Sequence, residues 1–260
     1  MDRNNNRENI YLFIATAFAF IAMVLVNILS ETLPIAGVTN AEVSDSYPSL
    51  FTPTGLTFSI WGVIYLMLAI YTIWQFGKKN REVAKDVGLL YILSSVLNIA
   101  WIFTWHYKML MISFLVITML LATLIFISWR LERASTLARI PFGIYYGWIT
   151  VATIANLMIV LNANFESFGG SLLEIVMTCI AIVIAGIIGA IRIKYKNDYY
   201  YGAAIVWSAI GIILNQIKLY DATYIAIILS AILSIGIVVF SFIMNVSDSK
   251  GRFQLSEKTL

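Results

Sequence analysis

Three segments of the sequence carry aromatic and amide side chains at the spacing of one helix face. They are Thr54, Phe58, Trp61 and Tyr65, then Asn98, Trp101 and Trp105, and finally Trp148, Ala152 and Asn156. Steps of three and four residues place side chains on the same side of a helix. Amide groups offer hydrogen bonds and aromatic rings offer flat apolar walls, so facing stripes of this kind suit a planar, largely apolar ligand.

Helix packing is the alternative role for the same residues. All three stripes lie in apolar runs, where an Asn amide and an indole N–H each need a hydrogen-bond partner. Asn98 and Asn156 could meet that need by bonding across helix interfaces. The spacing therefore leaves a ligand pocket and a helix contact both open, and physical reasoning alone favours the contact.

Other side chains that could do chemistry are sparse. Glu174 is the acid closest to a predicted span, and Ser171 stands three residues before it, the spacing of a helix-capping box. His106 is the single histidine, whereas zinc sites use three or four ligands, and its aromatic neighbours predict an interfacial position. Cys179 is the single cysteine, which excludes an internal disulfide. We therefore predict no catalytic residue, no metal site and no required cofactor.

The composition indicates that the stripes lie on membrane-spanning helices. Of 260 residues, 60% are hydrophobic and 12% are charged, whereas soluble domains carry about 25% charged residues. A helix needs about 20 apolar residues to cross a bilayer. The sequence predicts an all-α polytopic membrane bundle of about eight transmembrane helices, in the apolar runs 10–30, 55–77, 87–107, 109–129, 140–161, 172–191, 199–217 and 222–246.

The positions of Lys and Arg orient these spans. With the N-terminus inside and the spans alternating, only Lys108 and Lys218 of the 17 basic residues fall in external segments. Cytoplasmic segments of membrane proteins are enriched in Lys and Arg. The sequence thus predicts cytoplasmic N- and C-termini in a multi-pass protein, which we expect in the plasma membrane.

The first predicted external loop, residues 31–54, is the longest connection. It contains Glu31, Glu42 and Asp45 and no Lys or Arg. Long loops in compact folds often cover or bind ligands. A lid over a pocket and a solvated connector are both compatible with this loop.

The stripes, taken in chain order, resemble the TspO/MBR family of tryptophan-rich sensory proteins and translocator proteins. The matching motifs are Pro53 followed by Trp61-x-x-x-Tyr65, then Asn98-x-x-Trp101, and then Trp148-x-x-x-Ala152-Thr153-x-x-Asn156. The resemblance covers roughly residues 1–165 and implies a five-helix bundle there. Residues 166–260 would then add three transmembrane helices and a short cytoplasmic tail.

The resemblance implies a ligand pocket near the first loop, formed by Phe58, Trp61, Tyr65, Asn98, Trp101, Trp105, Trp148, Ala152 and Asn156. Its ligand would be a porphyrin, a haem-like tetrapyrrole or a sterol. The sequence departs from the family at Gly55, where the family has a Trp. Expected partners are the lipid bilayer and the small hydrophobic ligand, with no nucleic acid. Gly143 and Gly147 fit a close helix contact, either within the chain or in a homodimer.

Three functions follow from these expectations. The leading one is a membrane receptor or sensor without a catalytic centre. A permease for a small hydrophobic solute is the alternative, although no proline falls at the centre of a span and the spans lack buried charges. An intramembrane enzyme lacks a visible nucleophile with a base beside it. The seventh span repeats the pattern of the fifth, with Trp207, Gly211 and Asn215 at steps of four.

Overall fold

The computed structural model describes the backbone of residues 2–33 and 35–257, and the side chains of residues 10–33, 35–40 and 42–248. All regular structure in that part is helical. Short 3-10 helices occupy Ile35–Gly37, Gly55–Ser59 and Lys78–Asn80. The α-helices are α1 (Asp2–Thr32), α2 (Asn40–Asp45), α3 (Ile60–Trp74), α4 (Arg81–His106), α5 (Leu110–Arg130), α6 (Thr136–Asn164), α7 (Leu172–Lys196), α8 (Tyr199–Tyr220) and α9 (Ile225–Glu257).

Eight of these helices, all except α2, are long and apolar enough to cross a membrane. The predicted all-α bundle with eight transmembrane helices is therefore confirmed. The third and fourth spans form a tight hairpin, because α4 ends at His106 and α5 begins at Leu110. Which side of the membrane each terminus faces stays a prediction.

The long connection between α1 and α3 defines one end of the bundle, which we call the loop end. Glu31 belongs to the last turn of α1, so this connection begins at Leu33, later than the sequence predicted. Thr39 caps α2 through a capping box with Glu42. The opposite end of the bundle holds two ion pairs: Arg130–Asp86 joins α5 to α4, and Lys196–Glu132 joins α7 to the turn between α5 and α6.

Helix α6 lies at the centre of the bundle, in contact with α3, α5, α7 and α8. Residues 145–153 of α6 are buried without interruption. A Cβ atom at Gly147 would lie 2.8 Å from the Ala204 Cβ and from the Tyr201 carbonyl oxygen, so the glycine allows α8 to approach α6 closely. The glycine contact that the sequence left open is thus formed within the chain, with α8.

A buried ion pair fixes the N-terminal end of α8, which lies opposite the loop end. The Arg192 guanidinium lies 2.5 Å from the Asp198 carboxylate and donates to the Ser128 hydroxyl. It also lies over the Tyr146 ring, 4.8 Å from its centroid. The two charged side chains are only 11% and 5% exposed. Since Asp198 also caps α8, this cluster connects α5, α6, α7 and α8.

Candidate functional site

The aromatic residues of the three predicted stripes form one cluster. The Trp61 ring is stacked on Tyr65 and on Trp101, with centroids 5.5 and 6.0 Å apart, and it meets Trp148 edge-on at 6.2 Å. Trp101 is stacked on Trp105 at 6.0 Å. The stripes of α3, α4 and α6 therefore face one another, as the spacing predicted.

Phe58 extends this cluster towards the loop end. It lies in the 3-10 helix Gly55–Ser59 that precedes α3, and its ring meets Trp148 edge-on at 5.7 Å. The predicted run 55–77 thus begins as a 3-10 turn before the α-helix starts at Ile60. Phe58 is placed by that turn, rather than by the helix face that carries Trp61 and Tyr65.

Two cavities adjoin the cluster, and Phe58 and Trp61 line both. The inner cavity has a volume of about 30 Å³, and the outer cavity about 290 Å³. The inner cavity is lined by Ser44, Thr52, Pro53, Phe58, Trp61, Trp101, Trp105, Trp148, Val151, Ala152, Ala155, Asn156 and Ile159. The outer cavity is lined by Asn27, Glu31, Asn40, Gly55, Phe58, Ser59, Trp61 and Tyr65. Asn98 is the predicted site residue that lines neither.

Asn98 instead connects three helices by hydrogen bonds. Its Nδ2 donates to the Tyr145 hydroxyl at 3.0 Å, and its Oδ1 accepts from the Asn27 amide at 2.8 Å. All three side chains are buried. Asn98 therefore has the helix-packing role that the sequence left open, and it joins α4 to α1 and α6.

Asn156 combines a packing role with a place in the cavity wall. Its Oδ1 accepts from the Ser113 hydroxyl at 3.0 Å and from the Trp101 indole N–H at 3.4 Å. Its Nδ2 donates to the carbonyl of Ala152, one turn earlier in α6. These bonds orient the Trp101 ring against the inner cavity.

Four polar atoms around the cavities have no hydrogen-bond partner within the described chain. Trp148 Nε1 and Thr52 Oγ1 belong to the inner cavity, and Tyr65 Oη and Asn40 Oδ1 belong to the outer cavity. A buried polar group without a partner costs about 1–3 kcal/mol, and such groups are rare in folded proteins. Unpartnered polar atoms also occur in packed parts of the described chain, such as Thr178 Oγ1 and Ser234 Oγ, but the four named here adjoin cavities and are available to a bound molecule.

Thr52 and Pro53 of the loop segment 50–57 line the inner cavity, and α8 holds this segment, which we call the cover, in place. The Trp207 indole N–H donates to the Thr57 carbonyl at 2.9 Å, and the Asn215 amide donates to the Thr52 carbonyl at 2.9 Å. The Gly211 carbonyl accepts from the Thr54 N–H at 3.1 Å. The stripe on the seventh span thus anchors the loop, a role that the sequence did not reveal although its spacing was visible.

Two further side chains complete this anchor. The Gln216 amide donates to the Leu50 carbonyl at 2.7 Å, and Glu174 accepts from the Leu50 N–H at 2.9 Å. We call Glu174, Trp207, Gly211, Asn215 and Gln216 the anchor residues. Because all five belong to α7 and α8, two of the last three spans contribute directly to the cover of the cavity.

Glu174 only partly fulfils its predicted capping role. Ser171 caps α7 by accepting from the Glu174 N–H at 3.2 Å, as predicted. The Glu174 carboxylate, however, accepts from the N–H of Gly170 at 2.7 Å and from the Asn162 amide at 3.0 Å, besides Leu50. The reciprocal bond of a capping box is therefore replaced by bonds to other segments. The side chain is only 1% exposed, so the expectation that the spans lack buried charges is wrong for α7.

His106 also differs from its predicted environment. It ends α4 at the loop end, but it is 1% exposed rather than part of an interfacial belt. Its Nδ1 donates to the Ile102 carbonyl at 2.7 Å, the preceding turn of the same helix. The ring is therefore a packed core side chain outside the lining of both cavities.

Comparison with known proteins adds one finding. A family model described as "TSPO-like protein" matches residues 13–243. The match begins in α1 and ends in α9, so it includes the aromatic cluster, both cavities and the anchor residues, and it extends well past residue 165. Neither a curated protein nor a solved structure matches the chain.

Proposed function

The chain belongs to the TSPO-like protein family, and from this premise we propose that it is a membrane sensor that binds a planar apolar ligand between α3, α4 and α6. A porphyrin, a haem-like tetrapyrrole or a sterol has the flat apolar shape that stacked indole rings accommodate. The supporting observation is the cluster of four Trp rings beside two cavities with unpartnered polar atoms. The division into a five-helix bundle, 1–165, and an added part, 166–260, stays a prediction.

The size of the cavities bears on how a ligand would enter. Pockets for ligands of drug size have volumes of about 300–1,000 Å³, whereas the inner cavity holds about 30 Å³, enough for about two water molecules. Phe58 and Trp61 stand between it and the outer cavity of about 290 Å³. A ligand therefore has to displace these two rings, which would then stack on it.

The opposite half of the same helices is filled by aromatic side chains, which favours binding over permeation. Tyr71, Tyr91 and Phe142 meet edge-on with centroids 4.9 to 5.6 Å apart, and each is buried. A solute that left the cavities towards the opposite end would have to separate this packed group. Uptake of a porphyrin into proteoliposomes that exceeds that of protein-free vesicles would instead support the permease alternative.

Ligand binding can be tested by titrating the detergent-purified protein with protoporphyrin IX dimethyl ester while Trp fluorescence is recorded. We expect saturable quenching, and we expect Trp148→Ala and Asn156→Ala to weaken the affinity about tenfold or more, because both side chains line the inner cavity. Trp129→Ala is the matched control, since this ring is exposed near the end of α5, away from the cavities. Quenching that is not saturable, or that is equally changed by all three variants, would refute the proposal.

A further inference from the structure

The outer cavity presents hydrogen-bond acceptors to a ligand. Glu31 Oε1 accepts from the Asn40 amide Nδ2 at 2.7 Å. A carboxylate oxygen only accepts here, so this bond fixes the orientation of the Asn40 amide. Asn40 Oδ1 is consequently the atom left without a partner in the described chain, and Asn40 is only 7% exposed. A buried acceptor thus lies beside a carboxylate.

Positive charge is missing from the same place. Among the described residues that line the two cavities there is no Lys, Arg or His, and Glu31 is the one carboxylate. Residues 33–59 of the loop also contain no basic residue. The outer cavity therefore offers a carboxylate and an unpartnered amide oxygen, with no cation among the described residues that line it.

We propose that the outer cavity is a subsite for a cationic, N–H-bearing group of the ligand, with Glu31 and Asn40 as its acceptors. This inference rests on the proposed function, because the ring of the same ligand stacks on Trp61. An ammonium or amidinium group donates to both acceptors and neutralises the carboxylate. A carboxylate on the ligand meets no cation here and is repelled by Glu31. Among the planar ligands proposed above, the subsite thus favours tetrapyrroles that carry amine groups over tetrapyrroles that carry free carboxylates.

Three probes that share one macrocycle test the selection. They are protoporphyrin IX with two carboxylates, its neutral dimethyl ester, and its bis(2-aminoethyl)amide with two ammonium groups. In a non-ionic detergent we expect the affinity to fall in the order ammonium, ester, carboxylate. The ammonium probe should bind about tenfold tighter than the ester, the range of a charge-assisted hydrogen bond.

Glu31→Gln isolates the role of the carboxylate, since Gln keeps an oxygen for the Asn40 amide. The variant should lose the tenfold advantage of the ammonium probe over the ester, and this ratio is the readout whatever its affinity for the ester itself. Each probe partitions into the detergent micelles to the same extent in the wild-type and variant samples. Comparing the ammonium-to-ester affinity ratio of the two proteins therefore removes the effect of partitioning. Glu42→Gln is the matched control: this acid is exposed, bonds to Thr39 and does not line the outer cavity, so it should leave the order unchanged.

The outcomes separate the inference from the proposed function. If none of the three probes binds saturably, both are refuted. If the probes bind and the carboxylate probe is equal to or tighter than the ammonium probe, the inference is refuted and the proposed function stands. An ammonium advantage that survives Glu31→Gln, or that is lost equally in Glu42→Gln, would also refute the assigned subsite.

Discussion

Gly211→Ala tests whether α8 controls the cover of the cavity. An added Cβ would lie 2.1 Å from the Thr57 Oγ1 and 2.9 Å from the Pro53 Cβ. Thr57 is buried, so its side chain has little room to turn away. The overlap therefore has to be relieved by moving the loop segment 50–57 away from α8, and Pro53 in that segment lines the inner cavity.

The magnitude follows from the cost of an extra methyl group in a packed interior, about 1–3 kcal/mol. Gly236→Ala in α9 is the reference, because a Cβ there meets no atom within 4 Å. Relative to this reference we expect Gly211→Ala to lower the free energy of unfolding by about 1–3 kcal/mol. Each 1.4 kcal/mol by which this strain is larger in the ligand-bound protein than in the free protein weakens ligand affinity about tenfold.

The assay combines thermal unfolding in detergent with the porphyrin ester titration. Gly186→Ala serves as the matched control, since its Cβ would lie 2.4 Å from the Ser234 Oγ, between α7 and α9 and away from the cavities. It should lower Tm without changing affinity, whereas Gly211→Ala should change both. The reasoning is refuted if Gly211→Ala matches Gly236→Ala in Tm and affinity, or if Gly186→Ala weakens binding equally.

Three further substitutions test the polar contacts of the fold. Asn98→Leu removes the hydrogen-bond partner of the Asn27 amide and of the Tyr145 hydroxyl. It should lower the free energy of unfolding by about 1–3 kcal/mol, and an unchanged Tm would contradict this role of Asn98. Glu174→Ala removes the acceptor of the Leu50 N–H and should make the loop more sensitive to added protease, whereas equal cleavage rates would show that the loop is held without it. Arg192→Met leaves the buried Asp198 without its cation and should cost about 3–5 kcal/mol; adding Asp198→Asn should recover part of that loss, and no recovery would argue against a coupled pair.

The number of spans and the aromatic stripes can be predicted from the sequence because they depend on local properties of the chain. The length of an apolar run decides whether a helix can cross a bilayer, and the helical period decides which side chains share a face. Trp61, Trp101 and Trp148 were expected to face one another on this basis, and their rings do meet. The composition likewise excluded a soluble fold.

The sequence did not show which residues cover the cavity or how the buried amides are paired. The bond between Asn215 and Thr52 joins residues 163 positions apart, and the bond between Asn98 and Asn27 joins residues 71 positions apart. Helical periodicity identifies a polar face but not the partner that it meets, because that partner is chosen by the packing of helices distant in the chain. Only the tertiary structure therefore decided that α8 anchors the loop, that Asn98 packs rather than lines the cavity, and that Glu31 lines the outer cavity.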